Sequence, residues 1–154
     1  MEVFRKRTIA LVVPVLLPAA VLAVNEPRMD DAGTFPAYAV ECPEGTTDAG
    51  QCTGLNDATY LGWRTYKIEC QQCHGGGGMG STFAPNLMDR INKQGVDYGR
   101  FLYFMEHGYQ GKMGVMPSMK QNARVQKATA EIYTYLKARA EGAIPVGRPP
   151  KPAQ

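Results

Sequence analysis

Cys70-Gln71-Gln72-Cys73-His74 sets two thiols three positions apart and an imidazole directly after the second. This is the spacing for covalent haem attachment, in which the thiols add to the haem vinyl groups and the imidazole takes one axial position on the iron. At a helix end the two cysteines reach neighbouring pyrrole edges while the next residue points under the metal. The same cysteines also fit a thioredoxin-like redox pair, which needs a strand-rich α/β pattern, or half of a zinc site, which needs a second Cys/His pair. Neither accompanies the motif in this sequence, so the expected cofactor is one covalently attached haem c.

Outward from the motif the apolar spacing is helical. Asn56 or Asp57 can cap a helix running through Tyr60, Leu61, Trp63 and Tyr66 to Cys70, and the glycine-rich stretch 75–80 ends it. A short helical piece is expected over 86–92. Asp97 can cap a second clear helix carrying Tyr98, Phe101, Leu102 and Met105, and Gly108 stops it. Residues 108–119 read as loop. Val125, Ala128, Ile132, Tyr135 and Leu136 form a last stripe ending near Arg139, and no stretch reads as a supported strand or a repeat. The predicted fold is all-α, with three main helices around the haem. Gly62 and Tyr66, opposite Tyr135 and Leu136, suggest a close helix crossing in which the glycine admits an aromatic ring. Trp63 is expected to pack in the haem pocket or core rather than relay electrons.

A six-coordinate iron needs a second axial ligand, and Met79, Met88, Met105, Met113, Met116, Met119 and His107 all follow the motif. Met116 is chosen because Gly114-Val115-Met116-Pro117 is loop, stiffened by Pro117. Met113 and then His107 stand behind it. His107 falls at a helix end, where it can simply bond terminal carbonyls, and Met79 is too close to the attachment turn. A thioether opposite a histidine favours reduced iron and leaves no open substrate position, which points to electron transfer rather than catalysis. The other ring nitrogen of His74 needs an acceptor, for which the carbonyl of Pro85 in Phe83-Ala84-Pro85-Asn86-Leu87 is the candidate. Pro85 can alternatively serve only to start the short helix.

The chain has 154 residues, room for one domain, and its 44% apolar and 20% charged composition excludes wholesale disorder. Arg5, Lys6 and Arg7 precede an apolar run interrupted by Pro14 and Pro18, with a small-residue pattern ending at Ala23. Residues 1–23 therefore read as a signal peptide, with an uncleaved anchor as the alternative, and the periplasm is the expected location. After cleavage no stable membrane insertion is expected. Residues 26–57 hold seven acids against Arg28, a net −6, and 58–154 hold thirteen bases against six acids, a net +7. Such a dipolar exported protein is a poor nucleic-acid binder, and an acidic protein surface is the more natural partner. The acidic stretch 24–56 reads as an irregular extension in which Cys42 and Cys52 form a disulfide, the alternatives being free thiols or a metal site. The haem domain spans 57–140, and the proline-rich tail 141–154 should lie extended on the surface.

Taken together, these motifs resemble the class I c-type cytochromes over Asp57–Ala140, through Gly62-to-Tyr66, Cys70-to-His74, Ala84-Pro85-Asn86-Leu87, Val115-Met116-Pro117 and Glu131-to-Lys137. The resemblance implies that His74 and Met116 are the axial ligands and that the Pro85 carbonyl accepts from His74. Ala58-to-Tyr66, Gly78-to-Pro85 and Gly142-to-Lys151 are further similar to the small periplasmic cytochromes that accept electrons from pyrroloquinoline quinone (PQQ) alcohol dehydrogenases, especially lanthanide-dependent methanol dehydrogenases. The extension with Cys42 and Cys52 departs from that group. The implied role is to take single electrons from such a dehydrogenase and hand them to an oxidase or second cytochrome, without an enzymatic step of its own. Lys67, Lys93, Lys112 and Lys120 are candidates for a positive docking collar, or ordinary solvated surface. Competing roles are a subunit of another periplasmic redox complex, and a haem enzyme or gas-binding protein with a labile axial ligand.

Overall fold

Gly62 is the point at which two helices touch. The computed structural model describes residues 35–152. Its first long helix, α1 (Asp57–Glu69), is crossed there by the last, α6 (Thr129–Ala140). A Cβ on Gly62 would lie 2.6 Å from the carbonyl carbon of Glu131 and 2.9 Å from Cβ of Tyr135, so any side chain would force the helices apart. The space expected to admit an aromatic ring is filled by the backbone of α6. The Tyr66 and Tyr135 rings pack beside the crossing with centroids 5.5 Å apart.

Asn56 does two jobs at the start of α1. Its Oδ1 accepts from the amide and hydroxyl of Thr59 at 3.0 and 2.6 Å, and its Nδ2 donates to the Ala37 carbonyl at 2.9 Å. The helix cap thus also fastens the extension. After α1 come α2 (Gln71–His74), α3 (Leu87–Asn92) and α4 (Tyr98–His107), then α5 (Ala123–Gln126) and α6. Asp97 caps α4 by accepting from Arg100 N at 2.8 Å. At its other end Gly108 takes φ +71°, a conformation that other residues rarely adopt. The single last stripe read from the sequence is two helices, broken at Lys127 and Ala128, where Ala128 leaves helical geometry to cap α6.

The core lies where α1, α4 and α6 meet. Tyr66, Val125, Ile132, Tyr135 and Leu136 are buried together with Trp63, Phe101 and Met105. Tyr133 extends it: its hydroxyl donates to the Val96 carbonyl at 3.0 Å and its ring packs on Phe35, Tyr98 and Phe101. Phe35 carries the extension into this cluster, so aromatic packing as well as the Asn56 cap holds the chain upstream of α1.

Two expectations require correction. Residues 108–119 are not all loop, since β1 (Tyr109–Gln110) and β2 (Val115–Met116) pair antiparallel, Tyr109 opposite Met116. The tail does not merely lie on the surface: Ile144 and Pro149 are buried, and Trp63 Nε1 donates to the Gly147 carbonyl at 3.1 Å. The tail meets the extension as well, with Ala49 N donating to the Val146 carbonyl at 3.2 Å. Cys42 and Cys52 are joined in a disulfide, and the Cys42 sulfur lies 3.2 Å from the Ala143 carbonyl oxygen. Among the described residues no helix is long and apolar enough to cross a membrane. The segment read as a signal peptide, 1–23, lies outside them.

Candidate haem site

α1 and α2 carry the attachment motif across a slight break. The Cys70 amide closes α1 onto the Tyr66 carbonyl, and the His74 amide then returns to the Cys70 carbonyl, both at 2.9 Å. Cys73 is thereby left exposed and Cys70 half-buried, with neither in a disulfide. Burial, reinforced by Glu69 and Cys73, pushes the Cys70 thiol up to about 12. A thiol so far from ionisation is a poor exchange nucleophile, which weighs against the redox-pair reading. Among the described residues no three His, Cys, Asp or Glu side chains converge on a metal-sized centre, which leaves the zinc reading without further ligands.

His74 is buried, and its Nδ1 lies 3.4 Å from the Pro85 carbonyl oxygen. Donation from Nδ1–H leaves the Nε2 lone pair free for a metal. Burial lowers the pKa of the ring, against the opposing pull of the Pro85 carbonyl, so the neutral, ligating form is favoured. Asn86, directly after Pro85, accepts from the amides of Met88 and Asp89 at 2.8 and 3.3 Å and so fixes where α3 and the Pro85 segment begin.

The turn after His74 is held from several sides. Gly80 N donates to the His74 carbonyl at 2.8 Å, Tyr66 Oη to the Gly75 carbonyl at 2.6 Å, and Ser81 Oγ to the Cys73 carbonyl. Arg139 Nε donates to the Gly77 carbonyl at 3.2 Å. Sequence reasoning missed these supports, because each partner is distant in the chain or is a bare backbone atom. Asn86 had a local signal, an Asn just ahead of an apolar helical run.

Met116 sits half-buried on β2. Its hairpin is fastened to the end of α4: a Cβ on Gly108 would lie 2.8 Å from Ser118 N, and Met119 N donates to the Met105 carbonyl at 2.7 Å. On the other side, a Cβ on Gly114 would lie 2.9 Å from the Phe83 carbonyl oxygen. The Met116 hairpin and His74 are therefore both held against the segment Phe83-Ala84-Pro85. The other candidates are committed elsewhere or set apart. Met105 is in the core, and Met88 and Met119 pack against it as Met116 does, so what sets Met116 apart is its place on the hairpin beside Phe83. Met79 has its sulfur 3.7 Å from Arg139 Nη2, and Met113 stands exposed between the strands. His107 is exposed, stacked on Tyr103 with its Nδ1 3.0 Å from the Tyr103 carbonyl.

The donor set fits a haem: a buried neutral imidazole, a half-buried thioether on β2 and two unbonded thiols at the attachment spacing. Around them Phe83 and Val115 are 70% and 68% exposed, apolar surface of the kind a porphyrin face would cover. The proposed lysine collar is uneven. Lys93 pairs with Asp89 at 2.8 Å and Lys120 with Glu106 at 3.1 Å, while Lys67 lies over the Trp63 ring. Among the described residues Lys112 forms no ion pair and stands exposed in the turn of the hairpin.

Known proteins are similar to this chain in sequence and in structure. The family described as cytochrome C oxidase, cbb3-type, subunit III matches residues 57–136, more than half of the chain. Cytochrome c-555 of Methylococcus capsulatus is 34% identical over 99 residues, covering 64% of this chain and 76% of that protein. Cytochrome c-553I of Paracoccus denitrificans is 39% identical over 101 residues, covering 61% of this chain but only 42% of that longer protein. The crystal structure of the c-type cytochrome XoxG from Methylobacterium extorquens AM1 superposes with a TM-score of 0.65 at 32% identity, over 82% of this chain and 72% of that one. With its motif, its helical fold and these relatives in agreement, the chain belongs to the class I c-type cytochromes, electron-transfer proteins, and its cofactor is a covalently attached haem c.

Proposed function

We propose that His74 and Met116 are the axial ligands, that Cys70 and Cys73 carry the thioether links, and that the Pro85 carbonyl orients His74. In this reading the protein works in the periplasm, accepts single electrons from a PQQ-dependent methanol or alcohol dehydrogenase, and passes them to an oxidase or second cytochrome. The observation that carries the ligand reading is the common backing of His74 and the Met116 hairpin by residues 83–85. The likeness to the c-type cytochrome XoxG over most of the chain supports the electron-carrier part of this reading.

Haem c supplies a one-electron ferric/ferrous couple when bound. The chain's own residues set its terms. Nδ1–H of His74 bonded to Pro85 raises the basicity of Nε2, and the Met116 thioether stabilises the reduced state. If His74 and Met116 both hold the iron, no position is left for a substrate, and the apolar surface of Phe83 and Val115 would lie against the group or its rim. Lys112, without an ion pair among the described residues, is the lysine best placed to steer an acidic partner.

Stopped-flow reduction of the oxidised cytochrome by its host's PQQ dehydrogenase, followed at the haem band against ionic strength, tests the partnership. Fast, saturable reduction that slows with salt is expected, and slower still in Lys112→Glu. Negligible reduction at physiological concentrations would remove this donor while leaving the ligand assignment standing.

A further inference from the structure

The geometry points to Arg139 as a positioning residue for the haem site: its guanidinium joins the glycine-rich turn after His74 to the C-terminal tail and, through the tail, to the disulfide-closed extension. This rests on the reading of His74 as an axial ligand.

Arg139 stands in the last turn of α6, half-buried, and its donors are divided among separate segments. Nε donates to the Gly77 carbonyl at 3.2 Å, Nη1 to the Ile144 carbonyl, and Nη2 lies 3.7 Å from the Met79 sulfur. Among the described residues it has no carboxylate partner, so its charge is met by backbone oxygens and a thioether. Hydrogen bonds from a charged donor are stronger than neutral ones, and the planar fork reaches two carbonyls at fixed angles in a way an ammonium cannot. Residues 75–78 of the turn are all glycine and offer no side chains of their own, so it is held from outside, by Arg139 together with Tyr66 and Ser81.

The other end of the fork matters equally. Ile144 is fully buried and begins the tail segment in which the Val146 carbonyl accepts from Ala49 N and the Gly147 carbonyl from Trp63 Nε1. Ala49 lies within the loop closed by Cys42 and Cys52. A continuous path of bonded groups therefore runs from the disulfide loop through the tail and Arg139 to Gly77, three residues beyond His74. The turn starts at the residue after His74, so loosening it would change the backbone beside a bound haem, and solvent exposure is one of the factors that set a haem potential.

The test is amide hydrogen exchange and redox titration of the holoprotein in Arg139→Gln and Arg139→Lys. The amides of Gly78, Met79 and Gly80, bonded within the turn, should exchange about tenfold faster in both variants. Those of Cys70 and Ile132, in the α1 and α6 ladders, should keep their rates. The midpoint potential should fall in both variants, in Arg139→Lys even though the positive charge is kept, because the loosened turn changes the surroundings of the haem. If Arg139→Gln does not mature, Arg139→Lys carries the same measurement. Unchanged turn amides, wild-type behaviour in Arg139→Lys, exchange accelerated throughout the protein, or an unmoved potential would each overturn the assignment. The wild-type iron spectrum judges the His74 and Met116 ligation separately: a spectrum without sulfur ligation would remove Met116 and leave the exchange result to decide Arg139.

Discussion

His74 is only 8% exposed and its turn is gripped by Tyr66, Ser81 and Arg139, whereas Met116 stands on a two-residue strand whose neighbour Val115 is 68% exposed. The difference is one of origin. The histidine side grows out of the α1–α6 crossing and inherits the rigidity of the core, while the methionine side is a short hairpin fastened at the end of α4 and against Phe83. On the proposed ligation by His74 and Met116, ligand loss should therefore begin at sulfur. That order leaves open a route by which a carrier becomes, when damaged, a binder of small ligands.

Gly62→Ala strikes the stronger side at its root and should have the largest effect, a loss of about 3 kcal/mol or failure to accumulate, because the new methyl meets the backbone of α6. Denaturant unfolding of the holoprotein reads it, and near wild-type stability would show that the crossing can slide. Met116→Ala removes the weaker side alone. The helices should survive by circular dichroism while the midpoint potential falls by more than about 59 mV, the one-electron equivalent of tenfold, and added imidazole binds the iron. A wild-type spectrum in this variant would move the ligand to another residue. Asn86→Ala takes the cap from α3 and should cost about 1 kcal/mol, with a shifted His74 ring N–H resonance as Pro85 relaxes.

Tyr38→Phe should have the smallest effect and be pH-dependent. Tyr38 Oη donates to Glu141 at 2.7 Å, and Lys137 pairs with the same carboxylate at 2.7 Å. Burial acts to raise the pKa of Glu141, but these two partners outweigh it and hold the group below its ordinary 4.5. A carboxyl depressed in the folded state adds stability above its unfolded pKa and loses it as pH falls through the folded one. The wild type should exceed Tyr38→Phe by less than about 1 kcal/mol at neutral pH, and the gap should close as the solution is acidified below 4.5. A gap that persists in acid would mean the hydroxyl, not the charged carboxylate, carries the contact.

Much of this was legible in the sequence because its causes are local. The caps that Asn56 and Asp97 give their helices and the stop at Gly108 act within a few residues, and the attachment motif is five consecutive residues. The β1–β2 hairpin was not legible, since two-residue strands are too short to show alternation. The tail was misjudged for a different reason. Its prolines argue against regular structure, and that is correct, but burial of Ile144 and Pro149 is decided by partners as remote as Ala49 and Trp63. The supports of the His74 turn fall in the same class, because carbonyl oxygens carry no residue signature.

Trp63 gives the tail one further property. It is the chain's single tryptophan, and its indole N–H is committed to Gly147 near the C-terminus. The protein thus carries its own fluorescent gauge: a bound haem quenches the emission of a nearby ring by energy transfer, so recovery of that emission reports Trp63 and the tail coming away, beside the visible absorbance that reports the iron. Partial opening at the tail and loss of an axial ligand can be timed in the same sample by two colours of light.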